Sequence, residues 1–326
     1  MRRRELLVLG SAAALARPAV LRAQPAMPVI GFLHSGAPDE NAGRMAAFLK
    51  GLSDAGFIEG RNVSLEYRWA MGKNDKLPAL AAELVQRQVA VIVTVASAVA
   101  TRAAKDATST IPIVFSTGGD PIDLGFVASL AHPGGNITGV TSLNVELASK
   151  RLGLFHELVP TATYYFALVN PTSPLAAPFT KDLASGSSAL GLHFEILHAS
   201  NDTEIETAFA TATRQPGAVM VFAPDAFFYI RRTRIVALAT EHAIPTLFDV
   251  PEYIEAGGLM SYGSDFSDVL QISGNYAARI LKGEKPADLP VAQSTKFTMA
   301  INLKTAKALG LTVSPLLLAQ TDNLVE

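Results

Sequence analysis

Two segments of this chain follow the same plan one domain-length apart, and that repetition restricts the fold more than anything else in the sequence. The first copy runs Val29-Ile-Gly-Phe-Leu-His-Ser-Gly36, a helical pattern to Gly56, Val63-Ser-Leu-Glu-Tyr67, Asn74-Asp75, a second helical pattern, and Val91-Ile-Val-Thr-Val95. The second runs Phe166-Ala-Leu-Val-Asn170, a helical pattern to Gly191, Phe194-Glu-Ile-Leu197, Asn201-Asp202, another helix, and Val219-Met-Val-Phe-Ala223. The copies are offset by about 127–137 residues. A repeat of this size gives two lobes of similar topology, and a chain of 326 residues is long enough for each to have its own core. Two such lobes can clamp a small molecule, because closing the cleft removes water from both of its sides.

Within each copy the pattern alternates strand and helix. Val29–Leu33, Val89–Val95, Ile111–Phe115 and Ile137–Thr141 are short apolar runs of the buried parallel-strand kind, as are Tyr165–Val169, Ala218–Phe222 and Thr246–Phe248. Helical spacing is predicted over Gly43–Ala55, Lys76–Gln88, Ala96–Ala107 and Pro121–Ala131, then over Glu146–Leu158, Phe179–Leu190, Thr203–Thr213, Arg231–His242 and Asp268–Lys282. This alternation gives an α/β fold of two open parallel sheets.

In such sheets ligands sit beyond the carboxyl ends of the strands. That rule selects the loops around Ser35, around Ser97 and Ala98, and from Ser116 and Thr117 to Asp120 in the first copy. In the second copy it selects the loops at Asn170, at Asp225 and Phe227, and at Asp249 and Tyr253. The first set is rich in hydroxyls, and Ser97 stands at a helix start, where free N–H groups and the helix dipole favour an anion. The second set brings acids for an ammonium and rings for an apolar or aromatic side chain. Each has a plainer alternative. Ser97 and Asp120 can cap helices, Asp225 and Asp249 can be cap or turn residues, and Phe227 can be core.

Catalytic patterns are missing. The six histidines show no metal-ligand spacing, there is no cysteine, and neither a G-x-S-x-G elbow nor a P-loop nor a G-x-G-x-x-G after the first strand occurs. The net charge of −2, without a basic stripe past the N-terminus, argues against nucleic acid. Residues 1–23 have the charged, apolar and small-residue plan of an export signal, with Arg3-Arg4 before Leu6-Leu7 in the manner of a twin-arginine signal; cleavage after Ala23 is expected. The expected product is a periplasmic, monomeric protein without cofactor or metal.

Longer motifs carry a family resemblance. They are Ile30-Gly-Phe-Leu-His-Ser-Gly36, Gly56-Phe-Ile-Glu-Gly-Arg-Asn-Val63, Glu66-Tyr-Arg-Trp69, Ile111-Pro-Ile-Val-Phe115, Gly118-Gly-Asp-Pro121, Ala131-His-Pro-Gly-Gly-Asn-Ile-Thr-Gly139, Ala256-Gly-Gly-Leu-Met-Ser-Tyr-Gly263 and Ile301-Asn-Leu-Lys-Thr-Ala-Lys-Ala-Leu-Gly310. In these the chain resembles the substrate-binding proteins of bacterial ABC transporters, in the group related to tryptophan- and tyrosine-binding members. The resemblance implies a type I periplasmic-binding-protein fold: two Rossmann-like lobes, 27–143 plus 265–293 and 144–264 plus 294–326, joined by three crossings at a hinge. It also implies capture of a small ligand and delivery to an inner-membrane ABC permease and its ATPase, without catalysis. Similar amino-acid binders would place a ligand carboxylate at Ser97, Ser116 and Thr117 and its ammonium at Asp225 or Asp249. Many members of the group have Gly-Thr-Pro where this chain has Ala96-Ser97-Ala98, which keeps a hydroxyl and changes the shape. Aromatic amino acids are the first choice of ligand, and aromatic or branched carboxylates the second. A solute sensor for a signalling partner needs the same clamp and stays open, as does, more remotely, an exported enzyme.

Overall fold

A computed structural model describes residues 27–326 of the chain; the export signal read in residues 1–23 lies outside them. The strands of the first lobe are β1 (Val29–His34), β2 (Ser64–Trp69), β3 (Val91–Thr94), β4 (Ile113–Thr117) and β5 (Ile137–Thr141). Those of the second are β6 (Tyr164–Val169), β7 (Phe194–His198), β8 (Ala218–Phe222), β9 (Thr246–Phe248) and β10 (Met260–Ser264). β11 (Ala292–Gln293) joins the first sheet, while β12 (Phe297–Asn302) and β13 (Asn323–Val325) join the second. The sheets read β2-β1-β3-β4-β5-β11 and β7-β6-β8-β9-β10-β12-β13. Their first five strands therefore stand in the same order, all parallel, and the repeat in the sequence is a repeat in topology. The antiparallel partner is β12, which returns beside β10 with Met260 opposite Ile301.

Helices cover both faces of each sheet, which is why the strands are apolar without alternation. In the first lobe α1 (Ala42–Asp54), α2 (Leu77–Gln86) and α3 (Ala98–Ala107) connect the strands. Ile30, Phe32, Val91 and Val93 pack on one face with Phe48 and Leu52, while Leu33, Ile92 and Phe115 pack on the other with Leu84 and Ala104. The second lobe uses α4 (Ala148–Leu158), α5 (Ala176–Leu190), α6 (Asp202–Ala212), α7 (Ala226–Tyr229), α8 (Arg232–Glu241) and α9 (Glu252–Glu255). The short α7 and α9 fall where no helix is read from the sequence, because four residues are too few for a periodic signal.

The chain passes between the sheets three times: after β5, after β10 and after β11. The second pass leads into α10 (Phe266–Leu281), which lies directly on α1. A Cβ on Gly51 would fall 1.9 Å from the Gln271 carbonyl oxygen, and one on Gly274 would fall 2.2 Å from that of Phe48. The two helices thus meet backbone to backbone. Near the first pass Leu124, Val145 and Leu175 surround Gly119 and form a narrow apolar bridge between the lobes.

The helix expected over Pro121–Ala131 is absent. Asp120 Oδ1 accepts the Ile122 N–H at 2.7 Å, and Gly125, at φ +66°, ends the single turn that follows. A left-handed glycine stops a helix before it can propagate.

Candidate functional site

The loops that follow β1, β3 and β4 and those that follow β6, β8 and β9 line one cavity between the lobes, of about 640 Å³ including its mouth. Seven of the eleven residues singled out from the sequence stand on its wall: Ser35, Ser97, Ala98, Thr117, Asp225, Phe227 and Asp249.

On the first-lobe side, Ser97 caps α3, its Oγ accepting from Ala100 N at 3.4 Å and donating to Ser35 Oγ at 2.9 Å. The cap reading and the cavity reading of Ser97 therefore hold together. Ala96 before it has φ +53°, a left-handed conformation unfavourable for a residue with a Cβ. Its N–H donates to Ser116 Oγ at 2.8 Å, so the Ser116 hydroxyl holds the loop and lies off the cavity wall.

On the second-lobe side stand two carboxylates. Asp225 caps α7: its Oδ1 accepts from Phe227 N at 2.7 Å and from Asn170 Nδ2 at 3.3 Å. Asn170 thus supports Asp225 from behind the wall. Asp249 Oδ2 accepts from Asn144 Nδ2 at 3.2 Å. Both carboxyls keep some accessible surface in the cavity while protein surrounds them densely, and this desolvation pushes both above the usual aspartate range. For Asp225, hydrogen bonds from Ser173, Phe227 and Asn170 oppose the shift; for Asp249, the charges of Arg151 and Arg44 do. A cation entering the cavity would relieve both.

Asp120 and Tyr253 lie elsewhere. Asp120 closes its own turn, and Tyr253 is 2% exposed, stacked 4.0 Å from Phe248. His34, the last residue of β1, is also buried off the wall. Burial, with the Arg44 charge second, holds its imidazole at about 3, and its Nδ1 accepts the Gly36 N–H at 2.8 Å.

Sequence reasoning missed Arg44, Asn144, Leu175, Tyr229 and Phe266, all on the wall. Arg44 reaches across from the first turn of α1. Its guanidinium lies 3.3 Å from the Tyr229 ring centroid and 4.7 Å from that of Phe266, and its Nε donates to Glu252 Oε1 at 3.4 Å. A cation in the first turn of a helix opposes the helix dipole, and that was the available signal. Asn144, in the first crossing, also accepts the Ser264 N–H at 3.0 Å. Arg151 of α4, fully buried, donates through Nη2 to the Asn144 carbonyl at 2.7 Å and through Nε to that of Tyr262 at 2.8 Å. The support of Asp249 is thereby built into two of the three crossings.

Among the described residues no group of three or more His, Cys, Asp or Glu side chains could hold a metal, and no helix is long and apolar enough to cross a membrane.

Comparison with known proteins points one way. The family model described as ABC transporter substrate binding protein matches residues 32–325. A tyrosine-binding protein of Clostridioides difficile (strain R20291) is 26% identical over 266 residues, covering 81% of this chain and 75% of its own. A domain crystallised with L-Trp from Streptococcus pneumoniae superposes with a TM-score of 0.85 at 23% identity, covering 91% of this chain and 99% of its own. The ligand-free, open form of a Clostridium difficile substrate-binding protein with adhesive properties gives 0.64 at 22% identity over the same shares of each chain.

Proposed function

Because this chain belongs to the ABC transporter substrate-binding protein family and has the type I periplasmic-binding-protein fold, we propose that it captures a free amino acid, an aromatic one first, between its lobes. The cargo passes unaltered to an ABC permease and its ATPase in the inner membrane. The carrying observation is the pairing of Asp225 and Asp249 on one wall of the cavity with the hydroxyls of Ser35, Ser97 and Thr117 and the start of α3 on the other. A zwitterion presents both charges that such walls receive. Phe227 and Leu175 offer apolar surface for its side chain. The relatives described above, a tyrosine-binding protein and a domain crystallised with L-Trp, support this choice.

Closure follows from the two-sided arrangement. Only when the lobes approach can one ligand meet both walls, so binding shifts the population toward the closed form by its extra affinity for that form. No group on the wall is arranged as a nucleophile with its base, so the proposed role is transport without chemistry. In keeping with that role, the protein works as a monomer in the periplasm, exported by the twin-arginine route.

A thermal-shift screen of the twenty amino acids, followed by calorimetry, tests this. We expect aromatic amino acids to raise the melting temperature, with micromolar or tighter dissociation constants. A flat response to all twenty would overturn the amino-acid reading.

A further inference from the structure

We propose that Arg44 is the residue that reads the ligand's carboxylate. This extends the amino-acid reading above and adds a side chain that neither the loop rule nor the family resemblance selects. Its side chain is more than nine-tenths buried, yet it lines the cavity. The rings of Tyr229 and Phe266 lie against the guanidinium. Nε is spent on Glu252, whose Oε1 also accepts from the Tyr229 hydroxyl at 3.3 Å. Among the described residues, neither terminal nitrogen of Arg44 makes a hydrogen bond.

A planar fork beside aromatic rings, with two in-plane donors left over, is the arrangement that takes a carboxylate through two parallel bonds. Its position suits an α-amino acid. Arg44 and Asp249 line the same cavity. The carboxylate and ammonium of an amino acid are separated by one carbon, and their receivers must be close together. Ser97 spends its hydroxyl hydrogen on Ser35, whose own stays free for the ligand, and Arg44 is the cation on the same wall.

Arg44 belongs to the first lobe, while Tyr229 and Glu252 belong to the second. The fork is thus assembled only when the lobes have closed. In the open form Arg44 keeps Phe266 but loses the Tyr229 ring and its Glu252 anchor, so selectivity for the carboxylate is applied at closure.

The test uses three probes that share one ring system: L-tryptophan, tryptamine and indole-3-propionate. Each is titrated by calorimetry into the wild-type protein, Arg44→Gln and Arg44→Lys. The glutamine variant should weaken L-tryptophan and indole-3-propionate about 30-fold or more, the scale of a lost charged hydrogen-bond pair, and tryptamine less than about threefold. The lysine variant, which keeps the charge without the fork, should fall between. Equal loss for all three probes would make Arg44 a closing strut and overturn the assignment, as would no loss at all. If the wild type binds neither ammonium-bearing probe, the amino-acid reading falls, and indole-3-propionate alone then decides for or against Arg44. Failure of all three to bind the wild type would overturn both.

Discussion

At the scale of single residues, the site is governed by the charge that the protein isolates. Folding raises the carboxyls of Asp225 and Asp249 through desolvation, so the folded state holds their protons more tightly than the unfolded chain does. Their contribution to stability therefore falls as pH rises from the ordinary aspartate value through the raised one. We expect Asp249→Asn to raise the melting temperature of the ligand-free protein at neutral pH, read by scanning calorimetry, while it weakens an amino-acid ligand about tenfold or more. It should weaken the matching carboxylate without an ammonium much less. A lower melting temperature would contradict the desolvation argument, and equal losses would remove Asp249 as the reader of the ammonium. His34 behaves in the opposite sense. Its folded value of about 3 lies below the ordinary 6.5, so the unfolded chain takes the proton first. The stability it contributes is complete above about 6.5 and is lost as pH falls toward 3. His34→Gln should flatten the acid limb of the stability profile between those values, measured by denaturant titration at several pH values. Of the individual residues, those on loops directly after strands were legible, because the strand-end rule needs only the strands. Arg44 was not, because its helix carries it into the cavity from outside that rule.

At the scale of elements, glycine and its absence set the geometry. Ala96 occupies a left-handed position at φ +53°, which glycine adopts without steric cost. Ala96→Gly should therefore stabilise the protein by about 0.5–1 kcal/mol, the steric relief less the backbone entropy that glycine loses. A destabilised variant would show that the Ala96 methyl group packs more than it strains. Gly51 lies against the Gln271 backbone, where no flexible side chain can move aside. Gly51→Ala should cost about 2–3 kcal/mol and should also weaken ligand binding, since α1 carries Arg44 and α10 begins at Phe266 beside it. Chemical denaturation checks the first effect and calorimetry the second. The strands and long helices were readable from apolar runs and 3.6-residue spacing. The missing helix at Pro121–Ala131 was not, because its apolar residues, Leu124, Phe126 and Val127, reach the core from turns rather than from a helical face.

At the scale of the molecule, the repeat carried the most information. Segments about 127–137 residues apart became β1 and β6, then β3 and β8, at matching positions of the two sheets. How those sheets are joined was less accessible. The hinge is a set of polar contacts among distant residues, with Arg151 reaching Tyr262, and Asn144 and Ser142 reaching Ser264, across more than a hundred positions. No local pattern announces such contacts. They do explain how a ligand in the cavity can act on the hinge, because Asn144 holds Asp249 on one side and Ser264 on the other. The central claim is that the lobes close on an amino acid that both walls recognise. Small-angle scattering with and without saturating L-tryptophan, or whichever aromatic amino acid the screen selects, tests it most directly. We predict a smaller radius of gyration with ligand, returning to its starting value on dialysis; an unchanged radius at full occupancy would contradict the account.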